Sequence, residues 1–128
     1  MKVQSSAAVI AAALAALALT SCQAKEEAPA ASEDGGTAAP SEITVEASDT
    51  SCELSGTEGK TGANTFVITN NGNKVTEFYV YGEGERVMGE VENISPGLQR
   101  KLIVQLSQPG TYQTACKPGM IGDGLRGD

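Results

Sequence analysis

Polar and apolar residues alternate with a period of two along most of the chain beyond residue 41. Residues 42–46 put Ile43 and Val45 on one face, and 65–69 do the same with Phe66 and Ile68. Residues 75–81 place Thr76, Phe78 and Val80 on one side and Glu77, Tyr79 and Tyr81 on the other. Leu102, Val104 and Leu106 align within 101–106, as do Tyr112, Thr114 and Cys116 within 111–116. This alternation is the mark of half-buried strands. Asn70-Asn71-Gly72-Asn73 is a strong hairpin signal, and Pro96-Gly97 and Pro109-Gly110 mark further turns. Residues 47–63 read as turn-rich, 86–94 as extended but irregular, and the glycine-rich tail 117–128 as carrying no strand. No stretch repeats its apolar residues at helical spacing. Short strands separated by turns about every ten residues predict an all-β antiparallel sandwich.

The amino-terminal part has a different pattern. Lys2 precedes an unbroken apolar run over residues 7–19, rich in Ala and Leu. The run is shorter than the roughly 20 residues needed to span a bilayer and fits the core of an export signal. It ends Leu19-Thr20-Ser21-Cys22, which resembles a bacterial lipobox. That resemblance implies cleavage before Cys22 and lipidation of its side chain, holding the protein at a membrane surface outside the cytoplasm. Ordinary cleavage to a soluble chain is the alternative. Residues 23–41 hold Ala, Pro, Gly, Ser and acidic side chains without a bulky apolar residue, and predict a flexible tether. The expected organisation is therefore a signal over 1–21, a lipidated cysteine and acidic tether over 22–41, and a β domain over 42–128.

Loss of residues 1–21 removes Lys2 alone among the charged side chains, leaving 8 of the 9 basic groups against 16 acidic ones. An acidic surface argues against nucleic acid as a partner and is compatible with a cation. With Cys22 lipidated, Cys52 and Cys116 remain. In an oxidising compartment two cysteines are most simply a disulfide, and both are also candidate metal ligands; the sequence leaves the two roles open.

The chain has no histidine, which excludes a Ser-His-Asp triad, a His-ligated zinc site and a blue-copper site. There is no Ser-x-x-Lys motif and no glycine-rich phosphate loop before a helix, so an enzyme is not expected. What remains is carboxylates and sulfur. Glu77 lies inside an aromatic strand, Glu90 and Glu92 stand at strand spacing, and Cys116 and Met120 form Cys-x-x-x-Met. Soft sulfur would suit Cu(I), whereas clustered carboxylates would suit a harder cation such as Fe(III). Each group also has a plain reading: Glu90 and Glu92 as a solvated face, Met120 as an exposed tail residue.

Residues 65–120 resemble the amino-terminal cupredoxin-like domain of EfeO-type periplasmic iron-uptake lipoproteins. The matching stretches are Thr65-Phe-Val-Ile-Thr-Asn70, Thr76-Glu-Phe-Tyr-Val-Tyr81, Glu90-Val-Glu-Asn-Ile-Ser-Pro-Gly97, Leu102-Ile-Val104, Pro109-Gly-Thr-Tyr112 and Thr114-Ala-Cys-Lys-Pro-Gly-Met120. The resemblance implies a Greek-key cupredoxin-like β-sandwich that binds iron or copper, and an inner-membrane iron permease and a haem peroxidase as partners. It carries the metal-ligand role to Glu77, Cys52 and Cys116, with Glu90, Glu92 and Met120 as weaker candidates. Members of the family usually continue into a helical domain resembling imelysin-type peptidases, which these residues do not contain. On this reading the sandwich lacks its last strand after Leu125. Two other functions stay in view: a copper-handling redox protein, which requires Cys116 as a free thiolate, and a metal-free docking domain, which requires a closed Cys52–Cys116 bridge and an exposed Glu77.

Overall fold

The computed structural model describes residues 1–4 and 41–127. Most of the expected signal, Cys22 and nearly all of the expected tether lie outside the described residues. The strands are β1 (Lys2–Gln4), β2 (Ser41–Ala47), β3 (Cys52–Leu54), β4 (Glu58–Lys60), β5 (Gly62–Asn70), β6 (Thr76–Tyr81), β7 (Val87–Ile94), β8 (Gln99–Leu106), β9 (Gly110–Thr111), β10 (Gln113–Cys116) and β11 (Leu125–Gly127). They form two four-stranded sheets, ordered β3-β2-β5-β8 and β11-β10-β6-β7, and a small sheet, β4-β1-β9.

The period-two pattern becomes the core. Ile43, Val45, Phe66, Ile68, Val104 and Leu106 from one large sheet meet Phe78, Val80, Ile94 and Cys116 from the other. Phe66 and Phe78 sit at the centre, with ring centroids 5.3 Å apart and planes tilted by 45°. The sheets approach closely where β7 crosses β8: a Cβ built on Gly89 would lie 2.7 Å from Val104 Cγ2. Met1 and Val3 add their side chains to the same cluster, with β1 parallel to β4 and antiparallel to β9.

Four expectations are corrected. First, the sandwich is not purely antiparallel: β2 runs parallel to β5, from Ser41 opposite Asn64 to Ala47 opposite Asn70. Parallel neighbours need a long connection, and residues 48–61 supply it. Second, that connection is not turn alone, because it contains β3 and β4. Third, Asn70–Asn73 is not a hairpin, since β5 and β6 belong to different sheets. The side chains explain why. Asn70 Nδ2 donates to Lys74 O at 2.8 Å and to Ile94 O at 2.7 Å, while its Oδ1 accepts from Gly72 N at 2.9 Å. Asp49 Oδ1 accepts from Asn73 N at 3.0 Å and Lys74 N at 3.1 Å. These bonds turn the chain out of one sheet and across to the other. Fourth, the tail contains a strand: β11 pairs antiparallel with β10, with Leu125 opposite Cys116. Its few residues carry no alternation of their own, and the pairing comes from the open edge of β10.

Candidate functional site

Strand β6 is buried along both faces. Phe78 and Val80 are sealed by the core. The opposite face, carrying Glu77, Tyr79 and Tyr81, is covered by side chains of its own sheet. Ala115 stands beside Tyr79 in register and is too small to push the rings away. The rings of Tyr79 and Tyr81 stack with centroids 5.5 Å apart and planes 5° from parallel. Lys117 Nζ lies 4.1 Å from the centroid of Tyr79, and the Arg126 guanidinium carbon 4.5 Å from that of Tyr81. Cation–π attraction and the aliphatic stems of these residues shield the tyrosines. A hydrogen bond to Asp123 O at 3.1 Å and an ion pair with Glu85 at 3.3 Å orient Arg126.

Three glutamates border the same phenol. Glu90 is the register partner of Tyr79 on β7. Glu92 Oε1 lies 3.5 Å from the Tyr79 hydroxyl, at the outer limit of a hydrogen bond. Burial pushes the pKa of Tyr79 well above its ordinary value, and the charges and hydrogen bonding of Glu77 and then Glu90 push it further in the same direction. Glu77 is 7% exposed, whereas Glu90 and Glu92 are exposed. Glu77 forms no ion pair among the described residues, and none of the buried side-chain oxygens there lacks a partner, so its carboxylate is not sealed away uncompensated. Its backbone pairs with that of Lys117, with N···O distances of 2.9 and 3.4 Å, yet the Lys117 ammonium turns to the Tyr79 ring.

The two cysteines are elsewhere. Cys52 and Cys116 form a disulfide, S–S 2.03 Å, that ties β3 to β10 across the sandwich. Cys116 is fully buried opposite Phe78, on the core side of its sheet. Of the two roles left open by the sequence, the bridge is the one that the structure contains. The structure does not bring Glu77 together with these sulfurs, because they occupy opposite faces. Nor does it join Cys116 to Met120, which is 38% exposed on the Pro118–Met120 turn. Among the described residues no three Asp, Glu, Cys or His side chains converge as a metal cage. The oxygen-rich focus consists of two carboxylates, Glu77 and Glu90, and one phenol, with Glu92 at its margin.

Sequence reasoning placed Glu77, Tyr79 and Tyr81 on one face but missed the part played by both tyrosines, Lys117 and Arg126. Alternation was the available signal for the tyrosines. The two cations come from β11 and the residue after β10, and only strand register brings them to β6. A separate cleft of about 410 Å³, lined by residues including Gly82, Arg86, Met88 and Tyr112, shares no residue with this face.

Residues 9–127 match the family described as a cupredoxin-like domain. The chain belongs to that family. Its strands and sheets are those of an all-β cupredoxin-like sandwich. The chain is also similar to the iron uptake system component EfeO of Escherichia coli K12, of Escherichia coli O1:K1 and of Shigella flexneri. Each is 33% identical over 75 residues, covering 59% of this chain and 20% of the relative. The cupredoxin-like chain thus spans about a fifth of the length of these curated relatives. No helix among its described residues is long and apolar enough to cross a membrane.

Proposed function

We propose that this cupredoxin-like chain is a non-enzymatic component of a bacterial iron-uptake system that holds ferric iron, as cargo, on the outer face of β6. Glu77 is the central ligand, with Glu90 and the Tyr79 oxygen beside it and Glu92 in reserve. The observation that carries this reading is the Glu77 side chain, which is largely buried, borders the same phenol as Glu90 and forms no ion pair among the described residues. Two carboxylates gathered at one phenol repel each other, and a bound cation offsets that repulsion. The donor atoms are all oxygen, which fits a hard ion and not Cu(I). The names of the similar EfeO proteins support the iron-uptake context.

In this proposal the lipid on Cys22 holds the domain at the outer face of the cytoplasmic membrane, where it passes iron to a permease alongside a haem peroxidase. The redox alternative needs a free Cys116 thiolate, and the bridge occupies that sulfur. The docking alternative is met by the closed bridge but not by Glu77, which is buried.

The test is equilibrium binding of Fe(III)-citrate, Fe(II) and Cu(II) to the air-oxidised protein and to Glu77→Gln. The expected result is about one ferric ion per chain, lost in the variant. Absence of iron in either oxidation state would overturn the proposal, and copper binding that survives Glu77→Gln would move the site elsewhere.

A further inference from the structure

The outer face of β6 carries charge of both signs, arranged by strand. Glu90 and Glu92 lie on β7, on one side of the tyrosine pair. Lys117 and Arg126 lie over the rings from the opposite side. Arg126 is committed to Glu85 and to Asp123 O. Lys117 is half-buried and forms no ion pair among the described residues, although its backbone is hydrogen-bonded to that of Glu77. The ammonium and the Glu77 carboxylate thus belong to residues paired through their backbones, and they form no ion pair with each other.

This arrangement constrains what the site can accept. Hard cations of this class take about six oxygen ligands. Glu77, Glu90 and Tyr79 supply one oxygen each when monodentate, leaving roughly half of the positions open. A bare trivalent ion at the Tyr79 hydroxyl would also meet an ammonium already seated over the same ring, and like charges this close repel. An anion that ligates the metal through one oxygen and accepts a hydrogen bond from Lys117 through another removes both difficulties. It fills open positions and gives the ammonium a charge-assisted partner.

We infer that the site takes its cation as a complex with a carboxylate-bearing anion, a ferric hydroxycarboxylate chelate, and that Lys117 is the residue that receives the anion. The inference rests on the metal reading above and specifies the form of its cargo.

The experiment is double-label equilibrium dialysis of the protein with radioactive iron and carbon-labelled citrate. A parallel arm supplies iron with bicarbonate as the only other oxyanion, to separate a chelate from a small anion. Wild type, Lys117→Gln, Lys117→Arg and Glu77→Gln are compared, with thermal unfolding of each confirming the fold. In wild type, iron and citrate should be retained together in equal amounts. Lys117→Gln should weaken retention of the chelate about ten- to a hundredfold, as expected for loss of a charge-assisted hydrogen bond, and Lys117→Arg should recover part of it. Glu77→Gln should lose both labels. Iron retained by wild type without citrate, or equal chelate affinity in Lys117→Gln, overturns the inference and leaves the metal reading standing. Iron retained only in the bicarbonate arm replaces the chelate with a small anion and also overturns it. If wild type retains no iron in either arm, the metal reading fails and this inference fails with it.

Discussion

Glu77 and Cys116 lie on adjacent strands of one sheet and face opposite ways. Cys116 stands opposite Phe78 in register and points with it into the core, where it meets Cys52. Glu77, one position earlier on β6, emerges on the outer face beside Lys117 and Tyr79. Stability and candidate chemistry are therefore separated by the thickness of a sheet, and each can be perturbed alone.

The bridge closes a loop with a sequence separation of 64 residues. Replacing both cysteines with alanine should cost about 2–5 kcal/mol of stability, read by urea or thermal unfolding. Under conditions where this variant remains folded, ferric binding at Glu77 should be unchanged. A loss of iron from the folded double variant would place sulfur back in the site.

The phenol of Tyr79 should titrate above its ordinary value of 10.0. Its folded-state pKa is raised, so the unfolded chain loses this proton first as pH rises. The associated stability is fully present below the unfolded value and declines as pH climbs above it. Absorbance titration at alkaline pH should show a late step from Tyr79, and Tyr79→Phe should remove that step. Glu77→Gln should shift it back toward the ordinary value, since Glu77 is the largest charge contribution after burial.

The crossing from β5 to β6 depends on Asn70 and Asp49. Asn70→Ala leaves Lys74 O and Ile94 O without their donor and should cost about 1–3 kcal/mol. The Asp49 carboxyl is held below its ordinary pKa, first by the Asn73 backbone N–H, with further lowering by hydrogen bonding to Lys74 N and the Asn73 side chain. Its contribution is present above the unfolded value and is lost as pH falls through the lowered folded one. The amide signals of Asn73 and Lys74 should move together in an acid NMR titration, and Asp49→Asn should abolish the coupled shift.

Close approach of the two large sheets requires Gly89. Gly89→Ala sets a methyl group against Val104 Cγ2 and should cost about 1–3 kcal/mol through overpacking. Combining it with Val104→Ala should recover part of that loss, a coupling visible in a double-mutant cycle. Phe66→Ala, which empties the centre of the core, should cost about 3–5 kcal/mol. Independent effects of Gly89 and Val104 would show that the sheets adjust without strain.

Local sequence determined the strands that form the core and the side from which each contributes. A two-residue period is a property of extended backbone, so Ile43 with Val45, Phe66 with Ile68, Phe78 with Val80, and Val104 with Leu106 could each be assigned to a common face without knowing any partner strand. The same period placed Glu77, Tyr79 and Tyr81 on one face. Tertiary structure decided how the strands combine. Parallel pairing of β2 with β5, the passage of residues 70–76 between sheets and the addition of β11 all depend on which edges are free once the core has formed. Two thiols far apart in sequence became a bridge because their strands meet across that core. Lys117 and Arg126 reached the tyrosines because hydrogen-bond register, which no local pattern encodes, set their strands beside β6.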